Sequence, residues 1–467
     1  MNYKKYIGDK AFYKTLVVLL IPLALQQSLS SVVNLLDNVM VGSLTTESLS
    51  AVAIVNQLMF VFNLTLFGAM AGASIFGAQY HGRGSAQGVR YTFRFRMLLS
   101  LALSVAGIAL FLLMGDRLIR LYLNQEASSA GDLDYAFSEA KDYLTVCLWG
   151  VIPFAVANSL SSTLRDTGET YTPMLAGVIA IVTNAALNYI LIFGHLGLPA
   201  MGVKGAALAT VISRWVEVLF LLIRTLRSLD KYPFMRGAFR SAYVPWEVIR
   251  PILITGWPLL INEFLWSISN ALINQSYSTR GLDAVAATNI CGTVWQIFAI
   301  VMMSMGSAIS ILVGQQLGGG DKPRAMDTAR KLMFVNVAAS IAMGLIMIAL
   351  SPLIPRIYNV NDHVRSITGS MLIVVGAMLP VDAATHASYF TMRSGGKTLL
   401  TFLFDCGFSW AVSFTLAYCL SRFTSLNIVW VYGIVQLANI LKCVAGLWIV
   451  HSGIWLHTIV HDLKAET

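Results

Sequence analysis

The chain has 467 residues, of which 57% are hydrophobic and only 12% are charged, and its formal net charge is +9. A soluble domain carries roughly a quarter of charged residues, so this composition excludes an ordinary water-soluble enzyme. The basic residues lie in short segments between apolar stretches, which excludes a nucleic-acid-binding face and indicates membrane orientation instead. The five cysteines lie within apolar segments and lack metal-ligand spacing, so neither disulfides nor a metal site are expected.

Twelve apolar stretches follow one another along the chain, each long enough for the roughly 20 residues that a membrane-spanning helix needs. Their approximate bounds are 15–43, 51–79, 91–114, 142–164, 173–194, 202–223, 250–278, 285–316, 329–351, 366–391, 398–420 and 429–451. The first stretch is too long for the core of a cleavable signal peptide, so we expect it to remain as a span. The sequence therefore predicts an all-α membrane protein with twelve transmembrane helices.

The spans of the first half contain isolated polar side chains that share helical faces. Asn34 and Asp37 lie on one face in the outer part of the first span, and Asn184 and Asn188 lie one turn apart in the fifth. The two asparagines of the fifth span fit hydrogen bonding between helices as well as the lining of a cavity, and the sequence does not separate these roles.

A basic segment with two prolines, residues 229–249, follows the sixth span and is predicted to be a cytoplasmic linker. It divides the chain into an amino-terminal lobe, 1–228, and a carboxyl-terminal lobe, 250–467. The lobes are repeats, because residues 22–84 overlay residues 258–320 after a shift of 236, with proline, asparagine, glutamine and glycine in register. Since each lobe has six spans, the repeats are parallel, and we expect a central cavity between them.

The spans of the second half contain two carboxylates near their middles. Glu263 lies in the seventh span with Trp266 one turn away, and Asp382 lies in the tenth with His386 and Tyr389 on the same face. His386 fits a proton relay, although a packed and hydrogen-bonded histidine is the more common case. Trp266 and Tyr389 fit cation–π contacts with a ligand as well as ordinary packing.

A carboxylate inside the hydrocarbon layer requires a functional or structural explanation, because its insertion costs roughly 2.5–3.5 kcal/mol. We interpret Asp37, Glu263 and Asp382 as cavity-lining groups that bind H⁺ or Na⁺ and a cationic substrate in turn. The alternative is a buried acid whose hydrogen bonds are satisfied by neighbouring helices. Asp405, near the start of the eleventh span, is the weakest of the acidic candidates.

Several segments resemble motifs of the multidrug and toxic compound extrusion (MATE) family of cation antiporters, and the resemblance covers nearly the whole chain. The segments are PLALQQ at 22–27, NLLDNVMVG at 34–42, GAQYHGRG at 77–84, TLRDTG at 163–168, NAALNY at 184–189, GVKGAALAT at 202–210 and VGQQLG at 313–318. Acids in the seventh and tenth spans, with Asn184 instead of an acid in the fifth, resemble the NorM-like branch. Glu263 departs from the pattern, because it lies only five residues after Pro258, about one turn earlier than the resemblance implies.

The resemblance implies a secondary antiporter that exports small organic cations in exchange for Na⁺ or H⁺, with Na⁺ held at Glu263 and Asp382 and no other cofactor. We further expect a monomer in the plasma membrane, in contact with lipid, with both termini in the cytoplasm. The alternative is a flippase for a lipid-linked oligosaccharide, which would need basic residues facing an anionic lipid phosphate. An enzyme is not expected, because the spans contain neither HExxH nor GxSxG, and no P-loop indicates direct use of ATP.

Overall fold

The computed structural model describes residues 6–123 and 130–461, apart from the side chains of 30–36, 38, 39, 46 and 130–132. These described residues form helices and no strand. The helices are α1 (Lys10–Gly42), α2 (Thr46–Gly82), α3 (Ala86–Leu123), α4 (Ala130–Asp166), α5 (Tyr171–Phe193), α6 (Gly202–Leu226), α7 (Trp246–Ser278), α8 (Leu282–Phe298), α9 (Ile300–Gly318), α10 (Lys322–Leu350), α11 (Asp362–Ser394), α12 (Thr398–Phe402), α13 (Thr415–Phe423) and α14 (Ile428–Ser452). Twelve of the helical stretches are long and apolar enough to cross a membrane, which confirms the predicted fold class.

Several helix ends coincide with residues that cap them. The Asp321 carboxylate accepts a hydrogen bond from the backbone N–H of Arg324 at the start of α10, and Asn361 and Asn427 cap α11 and α14 in the same way. Gly194 follows α5 in the left-handed conformation, with φ of 75°, which a residue without a Cβ adopts at little cost. These local signals help to determine where the helices begin and end.

Two of the predicted spans are not continuous α-helices. The eighth consists of α8 and α9, which meet at Ala299, although a 2.8 Å hydrogen bond from the Ala299 N–H to the Trp295 carbonyl bridges the break. The eleventh consists of α12 and α13 with two π-helical turns between them, Leu403–Gly407 and Ser409–Phe414. π-Helical turns are rare and often occur at functional sites, and Asp405 lies in the first of these two.

The described residues pack as two units. The amino-terminal unit consists of Leu25–Gly77 and Ala86–Pro251, and the carboxyl-terminal unit consists of the residues up to Ala24, of Ala78–Ser85 and of the residues from Ile252 onward. Helices α1, α2 and α7 therefore contribute residues to both units. The predicted division at the linker stays a prediction, because these units are defined by packing and not by the sequence repeat.

The segment between α6 and α7 is attached to the amino-terminal unit by charged side chains. The Arg94 guanidinium on α3 donates to the carbonyl oxygen of Gly237 at 2.8 Å, and Lys231 forms an ion pair with Glu169 after α4. Burial alone would raise the pKa of Glu169, but hydrogen bonds from Lys231 and Thr172 outweigh burial and hold that pKa below its usual value. The segment is therefore tied to α3 and to the turn between α4 and α5.

Within the carboxyl-terminal unit, the last turn of α2 crosses the last turn of α9 at very short range. A Cβ added to Gly82 would overlap the Gln315 carbonyl oxygen, and a Cβ added to Gly318 would overlap the Gln79 carbonyl oxygen. The sequence repeat pairs Gln79 with Gln315 and Gly82 with Gly318, so the contact is nearly symmetric. Residues this small allow two helix backbones to approach closely.

Candidate functional site

A cavity of about 510 Å³ lies within the amino-terminal unit, inside the range of roughly 300–1,000 Å³ that is typical of small-molecule pockets. Asp37 on α1 and Asn184 on α5 line it. Other parts of its wall combine amide groups with aromatic rings, contributed by Gln26, Asn56, Asn63, Phe60, Phe62 and Phe154. The side chain of Asn34, which is predicted to share the face of Asp37, lies outside the described side chains.

Asp37 is held by a chain of amide side chains. The Asn188 amide donates to Asp37 Oδ1 at 2.5 Å and to Asn184 Oδ1 at 3.1 Å. Asn184 donates in turn to Thr210 Oγ1 on α6, at 3.2 Å. Because Asn184 and Asn188 are only 5% and 1% exposed, little water competes for these bonds. Asn184 therefore combines the two roles that the sequence leaves open, hydrogen bonding between helices and cavity lining.

Three charged side chains line this cavity. Arg214 and Glu217 form an ion pair within α6, at 2.9 Å, and both lie in the wall together with Asp37. The two charges of the pair offset each other, and although Arg214 is within electrostatic range of Asp37, no basic side chain of the described residues lies within salt-bridge distance of Asp37. The wall therefore has a net negative charge located at Asp37, which suits a cationic ligand.

Glu263 and Asp382 lie in the carboxyl-terminal unit, on α7 and α11. Glu263 is half-buried and has Arg393 within electrostatic range. The Trp295 indole on α8 is a hydrogen-bond donor beside Asp382, and Lys442 on α14 is within electrostatic range of the same carboxylate. In the described part of the chain, neither acid has a basic partner at salt-bridge distance.

The aromatic candidates of this unit lie in different surroundings. The His386 ring packs against Phe390 with 4.8 Å between ring centroids, and its Nε2 atom has no hydrogen-bond partner among the described residues. Tyr389 is buried in an apolar core cluster, whereas Trp266 is 41% exposed on α7. These surroundings fit packing for Tyr389, and the relay role of His386 stays a prediction.

A buried ion pair joins α14 to the first π-helical turn. Lys442 Nζ lies 2.6 Å from Asp405 Oδ1, and the two side chains are 11% and 16% exposed. From the sequence, Asp405 ranks lowest among the acids and Lys442 is not identified at all. The signal that could have found it is that Lys442 is the one lysine, arginine or acidic residue in a largely apolar helix of 25 residues, because intramembrane cations are rare and usually paired.

No three His, Cys, Asp or Glu side chains within the described ranges come together as a metal-ion site. Hard cations are bound by oxygen atoms that include backbone and amide carbonyl groups, so a site with fewer carboxylates is compatible with this finding. The predicted binding of Na⁺ at Glu263 and Asp382 stays a prediction.

Comparison with known families gives a match over well over half of the chain. A sequence model of the MatE family matches residues 22–190 and 258–432. The two matched segments begin at Pro22 and Pro258, which are the two prolines that the internal repeat pairs. The family match therefore occurs once in each repeat.

Individual relatives match nearly end to end. "Probable multidrug resistance protein NorM" of Thermotoga maritima is 26% identical over 418 residues, which cover 89% of this chain and 87% of that protein. "Probable multidrug resistance protein YoeA" of Bacillus subtilis is 25% identical over 426 residues, which cover 90% and 89%. A solved outward-facing structure of a multidrug resistance MATE family transporter of the MOP superfamily superposes with a TM-score of 0.83 at 21% identity, covering 97% of this chain and 98% of that one. At that identity the superposition shows a shared fold.

Proposed function

Because the chain belongs to the MatE family and is therefore a multi-pass membrane transporter and not an enzyme, we propose that it exports small organic cations in exchange for Na⁺ or H⁺. The observation that carries the proposal is a set of three intramembrane carboxylates, Asp37, Glu263 and Asp382, without a basic partner at salt-bridge distance in the described chain. The multidrug resistance names of the two relatives support the same kind of cargo.

The surroundings of Asp37 suit a lipophilic cation. The carboxylate supplies one negative charge, and Phe60, Phe62 and Phe154 supply apolar and π surface in the same wall. A cation is attracted to an aromatic face as well as to a carboxylate. The cavity volume of about 510 Å³ accommodates a drug-sized molecule.

Exchange follows from competition for the same negative charge. When H⁺ or Na⁺ neutralises Asp37, the charge that attracts a cationic cargo is removed, so that ion and cargo exclude each other. Mutual exclusion is reciprocal, since each ligand lowers the affinity for the other by the same factor. A gradient of the coupling ion can then drive the cargo out. The amide of Asn188 holds the carboxylate in place throughout.

We also propose that the transporter acts as a monomer in the plasma membrane with both termini in the cytoplasm. The support for this orientation is the distribution of charge along the chain. Arg83, Arg90 and Arg94 surround the connection from α2 to α3, whereas Asp116 and Glu139 lie near the connection from α3 to α4. Basic connections are retained on the cytoplasmic side.

Efflux of ethidium from cells that produce single variants tests the proposal. Asp37→Asn, Glu263→Gln and Asp382→Asn each remove one carboxylate charge with little change in volume, and we expect each to reduce efflux at least about tenfold, the effect of roughly 1.4 kcal/mol of lost coupling. Glu247→Gln is the matched control, because Glu247 is an exposed acid on the same helix as Glu263. Its efflux should equal that of the parent at equal expression.

If all three carboxylate variants exported ethidium as fast as the parent, the proposed coupling mechanism would be contradicted. If the parent moved no organic cation and instead flipped an anionic lipid, the chain would be a flippase. The second outcome is disfavoured in part by the charges within the helices, because Arg96, Arg214 and Lys442 are each paired with a carboxylate.

A further inference from the structure

The Lys442 ammonium lies in surroundings that resemble those of a bound ligand. Its Nζ atom is 2.6 Å from Asp405 Oδ1. It also lies 5.4 Å from the ring centroid of Phe404 and 5.9 Å from that of Phe408. A carboxylate flanked by two aromatic rings is the combination that binds organic ammonium ions, because both the charge and the ring faces attract a cation.

The carboxylate of this site has its own orienting contact. Asn262 on α7 donates its amide N–H to Asp405 Oδ2 at 3.0 Å, which leaves Oδ1 for the ammonium. Asn262 is 2% exposed, and its own carbonyl oxygen is buried without a hydrogen-bond partner among the described residues. An unpaired buried acceptor costs free energy, so this amide, which contacts the carboxylate of the site, is itself not fully satisfied.

The π-helical turn explains how one short segment supplies the carboxylate and both aromatic rings of this site. Phe404 and Asp405 lie within Leu403–Gly407, and Phe408 follows directly. Widening of the helix at this turn changes the positions of neighbouring side chains relative to an α-helix, and here both rings come within cation–π distance of the same ammonium. Such turns are frequent at functional sites, which a purely structural ion pair would not require.

We propose that Asp405, Phe404 and Phe408 form a binding site for organic ammonium cargo, and that Lys442 occupies this site as a tethered competitor. The proposal rests on the proposed export of organic cations and names a second place where such a cation binds. Cargo enters by displacing the lysine ammonium from Asp405, and the lysine returns when the cargo leaves. The carboxylate is thereby never left without a cation in the low-dielectric interior, where an unpaired charge is costly.

The other charges around the pair make displacement electrostatically feasible. Lys442 is within electrostatic range of Asp382 as well as of Asp405, so a displaced ammonium has a second carboxylate nearby. His386 is within electrostatic range of Asp405, Lys442 and Arg393, and Glu263 is within electrostatic range of Asp405 and Arg393. On this proposal, a displaced Lys442 ammonium stays within electrostatic range of Asp382.

Chemical rescue tests the site directly on the purified full-length protein. Lys442→Ala removes the tethered ammonium, and n-butylammonium is a free ion of similar length and charge. We expect n-butylammonium to raise the Tm of Lys442→Ala by a few degrees in a saturable manner, because a ligand stabilises the state that binds it. It should change the Tm of the parent much less, because Lys442 competes for the site, and it should not change that of the double variant Asp405→Asn/Lys442→Ala, which lacks the carboxylate.

Two outcomes contradict the proposal. One is an equal effect of n-butylammonium on Lys442→Ala and on the double variant. The other is no effect on a folded Lys442→Ala protein, which would make the ion pair purely structural. Neither outcome depends on transport, so the export proposal stands or fails separately through ethidium efflux by the parent.

A second measurement on the parent applies even if Lys442→Ala does not fold. Labelling of the Lys442 amine by an acylating reagent, followed by mass spectrometry, reports how often the lysine leaves Asp405. We expect saturating ethidium to increase this labelling several-fold, with the exposed Lys141 as an internal reference whose labelling stays constant. Unchanged Lys442 labelling in a protein that exports ethidium would overturn the proposal and leave the export function intact.

Discussion

The carboxylates within the helices form two groups that differ in their partners. Asp166 and Glu217 each form an ion pair with an arginine, at 2.6 and 2.9 Å, whereas Asp405 pairs with Lys442, which we propose to be displaceable. Asp37, Glu263 and Asp382 also lie within the spans and have no such partner in the described chain. A charge that is already paired is expensive to separate, whereas an unpaired carboxylate is available to a mobile cation. We therefore expect Asp166 and Glu217 to be structural acids and the three unpaired acids to be exchangeable ones.

The Arg96–Asp166 pair should be a structural pair. Arg96 is fully buried, lies 2.6 Å from Asp166 and also donates to Thr163 Oγ1 at 2.7 Å. Arg96→Met would leave Asp166 buried without its cation, which typically destabilises a protein by roughly 3–5 kcal/mol. We expect a Tm lower by several degrees or loss of folded protein, measured by thermal unfolding in detergent.

The exposed pair Lys141–Asp116 supplies the control for that experiment. Its side chains are about half exposed, at 53% and 56%, and exposed pairs contribute roughly 0–1 kcal/mol. Lys141→Ala should therefore leave the Tm close to that of the parent. If Arg96→Met were as stable as Lys141→Ala, the division between structural and exchangeable acids would be wrong.

The sequence identifies intramembrane acids but not their partners. Asp37 is conspicuous because a carboxylate is rare in an apolar span, and the structure places it with Asn184 and Asn188 as a hydrogen-bonded set. Asp405 ranks low from the sequence because its cation, Lys442, comes from a different helix. Partnership across helices depends on packing, which composition and spacing along one span do not reveal.

At the scale of helices, α2 and α9 cross where the internal repeat pairs Gln79 with Gln315 and Gly82 with Gly318. The Gln79 side chain donates to the Ser394 carbonyl at 2.9 Å and accepts from the Ile459 N–H at 2.9 Å. Thr458 donates to the Leu317 carbonyl at 2.7 Å. The chain beyond α14 is therefore hydrogen-bonded to both helices next to the crossing, so that a change in their distance would strain this segment as well.

Gly82→Ala should disrupt this crossing. The added Cβ would overlap the Gln315 carbonyl oxygen, and forcing extra volume into a packed contact costs roughly 1–3 kcal/mol. We expect a lower Tm together with reduced ethidium efflux. Gly292→Ala is the matched control, since nothing lies within 4 Å of its Cβ position, and it should behave like the parent. A Gly82→Ala protein with parental Tm and efflux would show that the close approach is dispensable.

Helix positions are predictable because apolar length and local caps are properties of the sequence itself. The predicted bounds 173–194 and 202–223 lie within a few residues of α5 and α6. The break at Ala299 and the π-helical turns around Asp405 are not predictable in this way, because the residues on both sides remain apolar. They depend on local hydrogen-bond geometry, which leaves no mark in composition or period.

On the scale of the molecule, the internal repeat is the observation that links sequence, fold and family. The same two prolines, Pro22 and Pro258, begin the repeat and the two segments that match the MatE family. The sequence does not predict that Ala78–Ser85 packs with the carboxyl-terminal unit, because unit membership is decided by contacts between distant segments.

The central claim is that the coupling ion, H⁺ or Na⁺, and an organic cation compete for the same carboxylates. Purified parent protein in liposomes, loaded with ethidium and given an imposed Na⁺ or pH gradient, tests this claim most directly. The account predicts that at least one gradient drives ethidium against its own concentration gradient, and that added ethidium moves the coupling ion in the opposite direction. Ethidium movement that ignores both gradients, or no cation movement at all, would contradict it.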